Sequence, residues 1–240
     1  MKMTLYFIRH GETDNNVKHR FIGRTDMPLN ERGIEQAQCV GRAMSGIRLD
    51  ALYTSPYQRA VMTAEQICSG RDLQMVKDPG LCEIDCGDWD GLGREEIEER
   101  WPGMIELWQH QPDKLEMPNG ETFQQVQDRA FRTFLNIVEK ERGKAVAVTS
   151  HMLTIQLILA RMLNIPIRDV WKMRRLDNAS ITELAIYDGG EFEIIRWGDD
   201  RHLPDHLKNT FVKIAGFIEK SYTETYHTSN LVGRHKYLNR

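Results

Sequence analysis

The chain alternates between short unbroken apolar runs and longer stretches in which apolar residues recur every three or four positions. Met3 to Ile8, Ala51 to Thr54 and Ala145 to Thr149 are rich in β-branched, aromatic or small residues with little polar alternation, the pattern of strands buried on both faces of a parallel sheet. Each run ends at polar or small residues, namely His10-Gly11, Ser55-Pro56 and Ser150-His151, and leads into a helical pattern. Ile34, Ala37, Val40 and Met44 predict one helix face with Asn30 as its cap. Ser55 predicts the cap of a second helix, with Pro56 in its first turn and Gln58 completing a Ser-x-x-Gln capping box. Thr122 and Gln125 repeat that box ahead of Val126, Ala130, Phe134 and Ile137, and Leu153 to Leu163 predicts a largely buried helix. Ile181 to Tyr187 and Phe192 to Trp197, joined through Asp188-Gly189-Gly190, predict a hairpin. Alternating strands and helices predict the α/β class.

Three regions interrupt this rhythm. Residues 88–121, with Trp89, Trp101, Pro102, Trp108, Pro112 and Pro118, predict an irregular insertion above the sheet. Leu207, Phe211, Ile214 and Ile218 predict an amphipathic helix over 204–220, whose apolar face must be covered by the domain or by a second subunit, so a homodimer is one expectation. Residues 222–240 are polar, and Arg234, Lys236 and Arg240 face one acid, Glu224; a solvated terminus or a segment drawn toward an anionic substrate are the two readings.

Composition narrows the classes. A length of 240 residues predicts one large domain with a modest appendage. The longest apolar stretches fall far short of the roughly 18 residues of a membrane span. No secretory signal is expected from Met1 to His10. Thirty-two basic against 35 acidic residues give no global field for nucleic acid. Four cysteines, Cys39, Cys68, Cys82 and Cys86, are too few for a disulfide scaffold and predict free thiols in a reducing cytosol. Cys82 and Cys86 lack a second pair to complete a metal site, and His202 and His206 lack the intervening Glu of HExxH, so no metal is predicted and both histidines are expected at the surface.

The candidate chemistry lies where the strands end, because open α/β sheets bind ligands beyond the carboxyl ends of parallel strands. Arg9 and His10 close the first run, His151 the last, and Arg59 lies in the first turn of a helix, where free N–H groups favour an anion. Two histidines and two arginines make a cationic pocket suited to a phosphoryl group. Either histidine alone would be read as a hydrogen-bonded structural residue; the set of four is what points to chemistry.

The wider set, including Arg9-His10-Gly11-Glu12-Thr13, Asn16, Arg20-Phe21, Gly23, Ser55-Pro56-Tyr57-Gln58-Arg59-Ala60, Leu81, Glu83, Gly87, Trp89, Gly120-Glu121-Thr122, Ser150-His151 and Asn178-Ala179-Ser180, closely resembles the histidine phosphatase superfamily, the fold of cofactor-dependent phosphoglycerate mutase, in register from residue 3 to about 197. The resemblance implies a three-layer α/β sandwich over residues 1–198, with a mostly parallel central sheet flanked by helices and the 88–121 insertion over the active site, then a C-terminal helix and polar tail over 199–240. It implies His10 as the nucleophile that becomes phosphohistidine. Arg9, Arg59, His151 and Asn16 would hold the phosphoryl oxygens, with Phe21, Ile22 and Gly23 beside the substrate. Glu83 would protonate the leaving alkoxide and then activate water, with Glu12, Asp85 and Asp88 as rival carboxylates. No cofactor is implied.

Glu83 runs directly into Ile84-Asp85-Cys86-Gly87-Asp88-Trp89 without the extra basic segment usual in the mutases, so hydrolysis of a small phosphate ester is expected, with the mutase as alternative. An inactive phospho-ligand-binding module is the alternative of another class. Ile22 stands where many relatives carry a polar residue, commonly Gln, which removes one polar contact and suits a leaving group with some apolar surface.

Overall fold

The computed structural model describes residues 1–208 and 235–237. Its elements run β1 (Lys2–Arg9), α1 (Asp14–Val17), α2 (Glu31–Met44), β2 (Ala51–Thr54), α3 (Gln58–Cys68), β3 (Met75–Lys77), α4 (Arg94–Arg100), α5 (Met104–His110), α6 (Phe123–Lys140), β4 (Ala145–Ser150), α7 (Met152–Met162), β5 (Ile181–Tyr187), β6 (Glu191–Asp199) and β7 (His235–Lys236). They form one sheet of order β3-β2-β4-β1-β5-β6-β7. Pairing is parallel from β3 to β1 and antiparallel from β1 to β7.

Alternate side chains of β1 face opposite layers. Leu5 and Phe7 join Phe134, Val126 and Leu157 in the layer of α6 and α7, whereas Tyr6 and Ile8 join Val40, Met44 and Ala64 in the layer of α2 and α3. That is why the run showed no polar alternation: both faces are covered. The result is the three-layer α/β sandwich, with the histidine-bearing ends of β1 and β4 side by side in the register Arg9 to Ser150.

Several elements follow their local signals. Asn30 accepts from the Gly33 N–H at the start of α2, and Thr122 and Gln125 form the reciprocal capping box of α6. The hairpin joins β5 to β6 through Asp188–Gly190. The cap predicted at Ser55 is a correction. α3 begins at Gln58 with Tyr57 as its N-cap and no side-chain cap, and Asp26 Oδ1 accepts from the Gln58 N–H. The Ser55 hydroxyl lies within reach of the Tyr57 N–H at 3.4 Å, but its closest partner is the His151 ring.

The segment 88–121 is not irregular: it carries α4, α5 and the 3-10 turn Pro112–Lys114, because Gly93 with Glu96 and the left-handed Gly103 (φ 84°) start helical turns between its prolines. Trp108 packs among Phe21, Trp89, Phe123 and Trp171, with ring centroids 4.9 to 6.2 Å apart. β3 had no hydrophobic signal, since Val76 and Lys77 are exposed on the sheet edge. His202 is also a correction: it is half-buried and donates from Nε2 to the Ala179 carbonyl at 3.0 Å, while His206 is exposed as expected. Of the helix predicted over 204–220, only the 3-10 turn Asp205–Leu207 is seen, with Leu207 buried; Phe211, Ile214 and Ile218 lie outside the described residues. In the tail, His235–Lys236 pair with Glu191–Phe192 at the end of the sheet remote from His10.

Among the described residues no helix is long and apolar enough to cross a membrane, and no group of three or more His, Cys, Asp or Glu is placed to hold a metal ion. All four cysteines are free thiols.

Candidate active site

Backbone contact sets the site's floor. The His10–Thr13 loop presses on the start of α2 so closely that a Cβ on Gly11 would overlap the Gly33 carbonyl oxygen, and one on Gly33 would overlap the Glu12 carbonyl oxygen. Only two glycines permit this approach. The His10 carbonyl accepts from the Ala179 N–H, and Asn178 Nδ2 reaches the His10 carbonyl at 3.1 Å, the Gly11 carbonyl at 3.3 Å and Asn16 Oδ1 at 3.1 Å. β1 and the loop before β5 thus clamp the same turn.

The buried His10 ring donates from Nδ1 to the Gly11 carbonyl at 2.6 Å. A carbonyl only accepts, so the proton belongs on Nδ1 and the lone pair on Nε2. His151 lies edge-on to it, centroids 5.1 Å apart at 61°. Arg59 Nε points at His151 Nδ1 at 3.2 Å, and a guanidinium only donates, so His151 carries its proton on Nε2 and donates it to Ser55 Oγ at 2.8 Å. Burial first, then the charge of Arg59, holds both imidazoles well below their ordinary pKa, so each is neutral at neutral pH.

Arg59, 1% exposed, also donates to the carbonyls of Thr25 (2.9 Å) and Gly23 (3.1 Å), and its guanidinium lies 4.9 Å from the centre of the Tyr57 ring. Arg9, 5% exposed, donates from one terminal nitrogen to the Leu176 carbonyl at 2.7 Å, while its Nε is buried without a partner. Burial, with the like charge of Arg175, brings Arg9 down to about 10, and burial also lowers Arg59. Neither is in an ion pair among the described residues. Two buried guanidiniums without a carboxylate partner call for an anion.

Glu83 lies after β3 at the start of α7. Its carboxylate accepts from the N–H groups of Leu153 and Thr154, both at 3.3 Å, from Ile84 N–H at 3.0 Å, and approaches Thr154 Oγ1 at 3.1 Å. Its rivals are engaged elsewhere. Glu12 binds Asn30 and Arg32, Asp85 binds the Gly87 N–H and Arg24, and Asp88 binds Asn119. Asn16 accepts at Oδ1 from the Thr13 N–H, closing the capping box of α1.

Phe21 packs edge-on to Trp89 and Trp108, Ile22 is half-buried, and the Gly23 N–H is taken by Asp90 Oδ1 at 2.8 Å. Gly23 therefore helps hold Arg59 through its carbonyl and has no N–H to offer a phosphate. The sequence pattern predicts Ser55 as a cap and carries no signal for the roles of Asn178, Thr154 or Arg129. Ser55 and Asn178 belong to recognisable strand-end motifs, but their partners are 96 and 168 residues away along the chain, so only folding reveals them.

A model of the histidine phosphatase superfamily (branch 1) matches residues 5–200. Phosphoserine phosphatase 1 of Hydrogenobacter thermophilus is 33% identical over 177 residues, 73% of this chain and 83% of that one. The adenosylcobalamin/alpha-ribazole phosphatase of Escherichia coli is 32% identical over 176 residues, 72% of this chain and 85% of that one. Among solved structures, Bacillus stearothermophilus YhfR superposes with a TM-score of 0.80 at 34% identity, covering 83% of this chain and 98% of that chain.

Proposed function

The chain belongs to the histidine phosphatase superfamily, and from that premise we propose that it hydrolyses a small phosphomonoester through a phosphohistidine on His10, without a metal. The observation that carries the reading is His10 itself: neutral, its Nδ1 proton tied to the Gly11 carbonyl, its lone pair on Nε2, and its ring close enough to feel the charges of Arg59 and Arg9, two buried arginines in no ion pair among the described residues. Nε2 attacks phosphorus as the P–O ester bond breaks. Glu83 delivers a proton to the departing alkoxide, and as a carboxylate it then takes a proton from the water that attacks the phosphohistidine, returning free His10 and inorganic phosphate. Arg9, Arg59, the Asn16 amide and the His151 Nε2–H, turned from Ser55 toward the ligand, neutralise the charge spread over the phosphoryl oxygens. Phe21 and Ile22 present apolar surface to the leaving group.

The test is rapid-quench labelling with a phosphate ester in EDTA. Label on His10 that is acid-labile and base-stable is the expected result; label on serine or cysteine overturns the mechanism. Isomerisation of phosphoglycerate primed by bisphosphoglycerate, faster than hydrolysis, would assign the mutase reaction instead, and retention of a phosphate ester without turnover would assign a binding module.

A further inference from the structure

The loop that carries Glu83 has little regular structure of its own, only the 3-10 turns Pro79–Leu81 and Gly87–Trp89. Such a loop holds a side chain steadily only where its backbone is pinned. The pin is Arg129 on α6. Its Nε donates to Glu121 Oε1 at 2.8 Å, NH1 to the carbonyls of Gly80 (3.1 Å) and Cys82 (2.8 Å), and NH2 to the Glu83 carbonyl (3.0 Å) and Glu121 Oε2 (2.8 Å). A guanidinium has five N–H donors, and all five are accounted for. Arg129 therefore has nothing left with which to hold a phosphate, unlike Arg9 and Arg59.

Glu121 extends the grip. Its Oε2 also accepts from the Asp85 N–H at 2.9 Å, while its own N–H donates to the Asp85 carbonyl at 2.8 Å. From the other side, Thr154 Oγ1 donates to the Cys82 carbonyl at 2.7 Å. The backbone is thus fixed on both sides of Glu83, and the carboxylate is left to meet the start of α7 next to His151. A proton transfer depends on such placement, since an error of about 1 Å can cost on the order of 10²-fold in rate.

We propose that the Arg129–Glu121 pair is a positioning device that sets the Glu83 carboxyl for proton delivery to the leaving group. This rests on Glu83 being the acid. A merely structural pair would, when weakened, slow every substrate alike; a positioning pair selectively slows esters whose alcohol needs a proton to leave. The readout is kcat/KM, which reports transfer to His10, for an alkyl phosphate against p-nitrophenyl phosphate, whose phenoxide leaves with little help.

Arg129→Lys keeps the charge and loses the planar fork. It is expected to lower the alkyl value about tenfold and the aryl value less than about threefold. Glu121→Gln should give the same split, and serves alone if Arg129→Lys fails to fold by thermal melting. Glu83→Gln should show the split at about 10²-fold, and Glu83→Gln/Arg129→Lys should lose little more than Glu83→Gln. A selective Glu83→Gln beside unselective Arg129→Lys and Glu121→Gln would overturn the positioning role alone. An unselective Glu83→Gln would overturn the acid assignment and the device with it.

Discussion

Arginines in the two halves of the sheet are treated in opposite ways. At the carboxyl ends of the parallel strands, Arg9 and Arg59 are buried and their bonds go to carbonyls and an imidazole. On the antiparallel β6 and just beyond it, Arg196 pairs with Glu183 at 2.5 Å and Arg201 with Asp199 through two bonds of 2.8 Å. Arg201 is 80% exposed, so its pair is one that water screens and that contributes little. Its hydrogen bonds nonetheless hold Asp199 well below the ordinary carboxylate range. The first arrangement carries an electrostatic cost that a bound anion relieves; the second is complete without a ligand. Charge alone does not mark a site, whereas buried charge without an ion-pair partner does.

The strongest way to break this contrast is to remove the proposed nucleophile. His10→Ala should lower turnover by about 10³-fold or more with the far-UV spectrum unchanged, since the His10 ring belongs to neither apolar cluster of the core; appreciable residual hydrolysis would place the chemistry elsewhere. The opposite end of the sheet should answer in stability and not in rate. Tyr237, 6% exposed, packs on Phe131, Phe134 and Phe192. Tyr237→Ala should cost about 3 kcal/mol in urea unfolding and leave kcat/KM within about twofold; a changed kcat/KM would link the tail to the site.

Arg59→Lys should lower kcat/KM by about 10²-fold, because lysine replaces a planar fork by a single ammonium. A loss of only a few-fold would mean that charge without geometry suffices. Next comes pH. Both histidines have folded pKa values far below 6.5, so as pH falls below about 6.5 the unfolded chain takes up protons that the folded protein refuses. Stability should be full above that value and fall by up to about 1.4 kcal/mol per pH unit for each histidine below it; urea midpoints that stay level down to about pH 5.5 would contradict the buried neutral pair. The smallest effect should be at Arg201, where Arg201→Ala leaves kcat/KM within about twofold; a larger loss would erase the distinction between the two kinds of arginine.

Local chemistry was legible wherever the partner was near in sequence. Asn30 and Thr122 cap as expected because their acceptors meet N–H groups three residues on. Ser55 shows where this fails: its motif is as good as that of Thr122, but His151 competes for the hydroxyl from 96 residues away and Asp26 takes over the N–H of Gln58. β3 was illegible because an exposed three-residue edge strand owes its existence to β2 and not to any apolar pattern. In the segment 88–121 the tryptophans and prolines concealed two short helices whose start signals lie in Gly93, Glu96 and Gly103.

By itself the sequence determined the α/β class, strands covered on both faces, and the set Arg9, His10, Arg59 and His151 at strand and helix ends, since hydrophobic periodicity and residue identity are local properties. Tertiary structure alone decided which imidazole nitrogen carries the proton, which carboxylates are already engaged, and that Arg129 divides its five donors between the Glu83 loop and Glu121 while Arg9 and Arg59 form no ion pair among the described residues. The physical reason is that hydrogen-bond satisfaction is a property of pairs: beside the adjacent His10–Gly11 contact, Arg129 meets Glu121 from 8 positions away and Arg9 meets Leu176 from 167.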